Sequence, residues 1–261
     1  MKRLIITFAV LALSFGAFAQ ELTILHLNDT HSHIEPERGG EFDGHGGVIE
    51  QAAYVDSVRY AEGNSNVMLL HAGDFSQGTS YFTKFGGNIE VDLINALRFD
   101  VLCLGNHEFD NGIDELARRV RTIKSPVVCA NYDFSNTPLD GLVKPWAVVE
   151  KAGKKIGVIG LLTDLSSVVS REIAVQLKYQ HPAEVADRYG KELKDMGCDL
   201  VIALTHLGYE GGQYYTDQEL ASHTRYVDVI VGGHSHTYLT EMKTVRNLDG
   251  SEVKIVTDGK W

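Results

Sequence analysis

Cysteine is scarce in this chain: three in 261 residues, an odd number that cannot pair completely. Cys103 and Cys129 sit inside the apolar runs VLCLG and PVVCAN, where a cysteine behaves as a small buried hydrophobe. None stands beside a histidine or in a glycine-rich turn, so neither a catalytic thiol nor a structural disulfide is expected. Basic residues are also few. Setting aside Lys2 and Arg3 leaves 22 basic against 35 acidic residues, a net charge of −13 that argues against a nucleic-acid-binding surface. Such a chain would repel an anionic substrate unless local cations drew it in, and bound divalent metals are the obvious source. Internal repeats, low-complexity tracts and interdomain linkers are missing from the sequence. So is an apolar run of the roughly 20 residues that a membrane-spanning helix needs.

What the N-terminus does carry is an export signal. Lys2 and Arg3 precede an almost wholly apolar Leu4–Phe18, and Ala17-Phe18-Ala19 supplies the small-x-small pattern of a cleavage site. No cysteine follows to take a lipid. Residues 1–19 therefore read as a signal peptide, and the mature chain as an exported protein, periplasmic or secreted, with no stable membrane span. Residues 20–261 suffice for one large α/β domain.

Short runs rich in Val, Ile and Leu recur at Leu22–Leu27, Val67–His71, Val101–Leu104, Val127–Ala130, Lys155–Leu162, Leu200–Thr205 and Val227–Val231, and read as strands. Between them, apolar residues at 3.6-residue spacing predict helices at Val48–Ala61, Ile89–Leu97, Ile113–Ile123 and Ala183–Met196. Continuous apolar strands alternating with helices imply an α/β fold with largely parallel, buried strands. Lys144–Lys155 reads instead as two antiparallel strands joined by a glycine turn.

Polar residues follow the strands in a pattern. Asp29, His31 and His33 follow the first, and Asp74 the second. Asn106, His107, Glu108 and Asp110 follow the third, His206 a later one, and His234 and His236 another. Carboxyl ends of parallel strands face one edge, so five dispersed segments should converge there. Imidazole and carboxylate suit Zn, Mn, Co or Fe, and a neutral asparagine oxygen favours a harder ion than a closed structural zinc site takes. One bridging carboxylate can hold two cations about 3.5–4 Å apart.

The blocks NDTHSH, HAGDFSQG, GNHEFDNG, LTHLG and GGHSH, running from Asn28 to His236, resemble those of the calcineurin-like metallophosphatases, specifically the 5'-nucleotidase branch. GNHEFD is the most specific of them, and the pair Gly46-Gly47 also matches. The resemblance implies a four-layer α/β/β/α sandwich with mixed, largely parallel sheets. It assigns Asp29, His31 and His236 to one divalent metal, Asn106, His206 and His234 to a second, and Asp74 to both. His107 matches the transition-state histidine, oriented by Asp110, with Asn106 and His107 contacting the substrate phosphate. The implied reaction is hydrolysis of nucleoside monophosphates to nucleoside and phosphate by a metal-bridging hydroxide. The alternatives are a phosphodiesterase or pyrophosphatase acting on 2',3'-cyclic nucleotides or UDP-sugars, and a non-catalytic metal- or phosphate-binding module.

Other residues near the motifs read more plainly. His26, His33 and His71 are expected to hydrogen-bond behind the ligands, Glu108 to be structural, and His45 to lie in a surface loop. Asn28-Asp29-Thr30 fits a glycosylation pattern only by accident, since a glycan would block the site. An amidohydrolase barrel would use His31-Ser-His33 but leave Asp74 and the Asn106–Asp110 block unexplained. No evident stacking pair for a base stands in the sequence, although Tyr209, Tyr214 and Tyr215 are the first place to look. Nucleotide-hydrolysing members of the branch usually carry a second, C-terminal domain for that purpose, so a separate or missing specificity domain is expected as a partner.

Overall fold

The computed structural model describes residues 21–40, 43–211 and 215–261; the predicted signal peptide 1–19 and Tyr214 lie outside them. The first sheet is wholly parallel, ordered β1 (Thr23–Leu27), β2 (Val67–His71), β3 (Val101–Cys103) and β4 (Val127–Val128). After a short β5 (Tyr132–Asp133), the chain enters a second sheet with β6 (Trp146–Lys151) and β7 (Lys154–Leu162). The expected hairpin is there. Lys151 pairs with Lys154 across Ala152 and Gly153, both at positive φ, which suits a tight turn between twisted antiparallel strands. A short β8 (Lys178–Tyr179) pairs back onto β5. The second sheet then continues with β9 (Leu200–His206), β10 (Val229–Val231), β11 (Lys243–Arg246) and β12 (Glu252–Val256), in the order β11-β12-β10-β9-β7-β6.

Only the edge strands β6 and β11 run against their neighbours in that sheet. β11 and β12 were not foreseen from the sequence. They carry charged residues among the apolar ones, as strands near a solvent-facing edge do, so no continuous apolar run announces them.

The helices are α1 (Val48–Glu62), α2 (Ser80–Phe85), α3 (Asn88–Leu97), α4 (Ile113–Val120), α5 (Arg171–Ala174), α6 (Pro182–Asp195) and α7 (Asp217–Ser222). Four match the expected positions; α2, α5 and α7 are too short for a 3.6-residue pattern to reveal. Met68, Leu70, Val101 and Cys103 from the first sheet pack on Ile156, Val158, Ile202 and Leu204 from the second. α1 and α3 cover the outer face of the first sheet through Val55, Ile94 and Leu97 against Leu69 and Leu102. α6 and α7 cover the second through Val185, Leu193 and Leu220 against Ile159, Val201 and Ile230. The architecture is thus helix, sheet, sheet, helix, and the open sheets exclude the barrel alternative. Cys103, Cys129 and Cys198 are free and buried, as a sequence without disulfides requires.

Candidate metal centre

Leu27 pairs with His71, so β1 and β2 end level, and the loops beyond them run on side by side. The N–H groups of Asp29, His31 and Ser32 donate to the carbonyls of Gly73, Asp74 and Phe75, at 3.0, 3.0 and 3.2 Å. This ladder holds two candidate ligand segments together. A third segment joins through the backbone of His107, which donates to Asp74 Oδ1 at 2.9 Å. From the second sheet, His206 ends β9 and donates its Nδ1–H to Ala72 O at 2.7 Å, which leaves Nε2 turned to the site. The N–H of His234 donates to Asp29 Oδ2 at 2.8 Å.

Five segments distant in sequence therefore meet at one edge. Asp29, His31 and His236 form one group of donors, and Asp74, His206 and His234 another; within each, the ligand atoms lie within 4.8 Å of one another. His31 Nε2 approaches His236 Nε2 to 3.0 Å, and His236 Nε2 lies 3.3 Å from Asp29 Oδ1. Asp74 Oδ2 lies 2.9 Å from His206 Nε2 and 4.0 Å from His31 Nε2, placing this carboxylate between the groups. Asn106, the seventh predicted ligand, is buried one residue before His107, and its Oδ1 has no hydrogen-bond partner among the described residues.

The backbone is strained where these donors sit. Asp29, His31, Asp74, His234 and His236 all have φ between 45° and 80°. Non-glycine residues in that region cost of order 1–3 kcal/mol each and persist only where their surroundings enforce them. The glycines before the ligands serve close approach: a Cβ on Gly105 would collide with the Asp74 carboxylate, and one on Gly73 would lie 2.8 Å from His206 Nδ1.

Burial would raise the Asp74 carboxyl, but His206, His107 and His31 hold it below the ordinary carboxylate range. Asp29 is likewise held down, burial being outweighed by His206 and His236. Burial also opposes charge on His206, yet Asp74 and Asp29 push it up to about 10. The same burial takes His234 down to about 4 and lowers His31. Two buried carboxylates, imidazoles on His31 and His234 that burial keeps neutral, and orphaned oxygens on Asp29 and Asn106 form a donor set that suits divalent cations of hard to borderline character.

His107 stands apart. Its Nδ1 is 2.8 Å from Asp110 Oδ2, and that hydrogen bond raises its pKa despite partial burial. It also completes a group with His31 and Asp74 compact enough for a cation, so geometry alone leaves it two uses.

The supporting residues are only partly those the sequence indicated. Glu108 is fully buried and accepts the N–H groups of Gly105 (2.7 Å), Asp74 (2.9 Å) and Ser76 (3.0 Å), clamping the loops after β2 and β3. Burial, then Asp74, pushes its carboxyl up to about 7. Arg119, not foreseen because nothing local marks it, is fully buried and donates to Ser76 Oγ and Glu108 O, each at 2.6 Å. Asp217, also unforeseen, accepts from Thr205 Oγ1 at 2.6 Å behind His206. Asn28 is buried, and its Nδ2 donates to Asp29 Oδ2 (2.8 Å) and Gly259 O (2.7 Å), which leaves no room for a glycan.

His71 is buried with Nε2 3.1 Å from Thr30 Oγ1, and His33 Nδ1 lies 3.1 Å from His31 O; both sit behind the ligands. His26 Nδ1 faces Asp258 Oδ2 at 3.9 Å. His45 lies in an exposed loop stretch. Tyr215 packs its ring on His181 and donates to Glu219 O, so it belongs to the helical layer and not to the site.

Glu108 carries a stability prediction. Glu108→Ala would leave three buried N–H groups unpaired at about 1 kcal/mol or more each, so unfolding free energy should fall by roughly 3 kcal/mol or more. Glu108→Gln should fall between the alanine variant and the unmodified protein. An alanine variant with an unchanged denaturation midpoint would refute the clamp.

Residues 22–238 match the family model described as calcineurin-like phosphoesterase. A probable 5'-nucleotidase of Treponema pallidum is 38% identical over 226 residues, covering 84% of this chain and 37% of that protein. The 5'-nucleotidase of Homo sapiens is 34% identical over 247 residues, covering 88% of this chain and 42% of that one. Among solved structures, the 5'-nucleotidase precursor from Thermus thermophilus superposes with a TM-score of 0.84 at 35% identity, covering 92% of this chain and 49% of that chain. The chain thus spans less than half the length of these relatives.

Proposed function

Because this chain belongs to the calcineurin-like phosphoesterase family, we propose that residues 20–261 form a catalytic domain that hydrolyses phosphate esters, nucleoside monophosphates foremost, with two divalent cations. Asp29, His31 and His236 would hold one cation, Asn106, His206 and His234 the other, and Asp74 both. The observation that carries this reading is the position of Asp74, buried and within reach of both donor groups. The names of the Treponema, human and Thermus relatives support a nucleotide as the ester. Export through residues 1–19 belongs to the same proposal; no helix among the described residues is long and apolar enough to cross a membrane.

Bound cations would supply an acidified water as nucleophile and neutralise charge on the phosphoryl oxygens. The chain's own groups do the rest. An Asn106 that gives its Oδ1 to a cation keeps its amide N–H groups for a phosphoryl oxygen. Asp110 fixes the proton on His107 Nδ1 and sets the ring's orientation. A protonated His107 can then stabilise the phosphoryl charge or donate toward the leaving oxygen.

Phosphate release from adenosine monophosphate and from nitrophenyl phosphate, before and after chelation and with Zn, Mn, Co or Fe restored, tests the reading. Turnover that survives exhaustive chelation, or its absence with every metal, would overturn it.

A pH profile tests His107. Its pKa is raised, first by the Asp110 hydrogen bond, so the protonated ring persists to higher pH and the basic limb of kcat/KM should follow it. Asp110→Asn removes the raising contact. The limb should move to lower pH, with a smaller loss of turnover than removal of His107 itself causes. An unmoved limb would show that another group titrates.

A further inference from the structure

A small cleft of about 40 Å³ lies where the loops after β1 and β2 meet α1 and α3. That is room for a water-sized body or a small ion, and far too little for a metabolite. Its lining is mostly apolar, with Leu93, Ile94 and Phe99 from the α3 side, but Glu90 belongs to it as well. Glu90 is 4% exposed, and neither of its carboxylate oxygens has a hydrogen-bond partner among the described residues. Ser32 lines the same cleft, is also buried, and its Oγ is likewise without a partner. Asp29 Oδ1 and Asn106 Oδ1, oxygens of the proposed divalent centre, share this condition.

Burying an ionised carboxylate is unfavourable unless a positive charge and polar contacts offset it. Glu90 stands in the first turn of α3, where the helix dipole favours the anion without neutralising it. The buried Arg119 guanidinium attracts it but forms no ion pair with it, and its two terminal NH₂ groups donate to Ser76 Oγ and Glu108 O. Nitrogen donors around the cleft are already committed. His71 Nδ1 accepts the Gly73 N–H at 3.2 Å and its Nε2 lies 3.1 Å from Thr30 Oγ1, while His33 Nδ1 lies 3.1 Å from His31 O. Oxygen donors remain: two on Glu90, one on Ser32, and the amide oxygen of Gln51, which lines the cleft from α1. An all-oxygen set with one negative charge matches a hard ion of charge +1. A calcium ion takes roughly six to eight oxygens, commonly from several carboxylates.

We propose that this cleft binds a monovalent alkali-metal cation, Na⁺ or K⁺, between Glu90 and Ser32. Ser32 follows the proposed ligand His31; its N–H donates to Phe75 O at 3.2 Å and its carbonyl accepts Thr79 Oγ1 at 3.0 Å. A cation on Ser32 Oγ and Glu90 would tie that ligand loop to α3. The site is distinct from the divalent centre and stands without the phosphate-ester reading.

Thermal unfolding in the presence of a chelator tests it, with tetramethylammonium chloride replaced stepwise by NaCl or KCl at constant ionic strength. Tetramethylammonium carries the same charge but is too large to reach Glu90. With Na⁺ or K⁺ the midpoint should rise to saturation of the site, by roughly 3–6 °C at ten times the half-saturating concentration. The rise should vanish in Glu90→Gln, and Ser32→Ala should need several-fold more salt to reach it. Equal midpoints in the three salts, a rise that shows no saturation, or one that survives in Glu90→Gln overturns the site. The comparison of salts on the unmodified protein decides the matter even if the glutamine variant does not fold. Hydrolysis and its loss on chelation report on the divalent centre alone, so the two readings fail separately.

Discussion

Asp74→Asn will bind fewer than two divalent cations per chain and lose more than about 10³-fold in phosphate release, a ligand counting for more than the 10–100-fold typical of groups behind one. The substitution is nearly isosteric, and an asparagine oxygen can still accept the His107 N–H that Asp74 Oδ1 now takes. What disappears is the charge. Asp74 Oδ2 lies within 2.9 Å of one donor group and 4.0 Å of the other, and this negative charge, with Asp29, outweighs the burial of His206. A neutral amide cannot serve two cations in its place. Metal content by atomic absorption, alongside hydrolysis of nitrophenyl phosphate, measures both effects. Two ions retained with near-normal turnover would show that Asp74 is not shared.

His107→Ala should separate chemistry from metal binding. Both ions should stay, while turnover falls by roughly 10²–10⁴, the range for a residue acting on the transition state. The structure makes the experiment decisive, because His107 stands close enough to His31 and Asp74 to be a ligand instead. Its Nδ1 is committed to Asp110, and its side chain is 31% exposed, unlike the buried His31 and His206. If a metal ion leaves with the side chain, His107 is a ligand and its proposed role is wrong. Folding should be little changed, since the Asp74 contact uses the backbone N–H.

The candidate donors and the strands that carry them were legible from the order of residues. Asp29, Asp74, Asn106, His206, His234 and His236 could be singled out in advance as candidate donors because each follows a short apolar run, and parallel strands bring such ends to one edge. Period and composition are local properties, so they survive in one dimension.

The pairing of segments was legible only in three dimensions. Glu108 lies in the most specific motif, yet its clamp on Asp74, Ser76 and Gly105 depends on how two loops are laid side by side. Arg119 and Asp217 are ordinary helix residues in sequence, and burial against the site makes them supports. The left-handed backbone at Asp29, His31, Asp74 and His234 is likewise held by hydrogen bonds from their N–H groups to distant segments, because isolated non-glycine residues would relax from it. Residue type and spacing encode which atoms can bind a cation; contacts between distant loops set where those atoms stand.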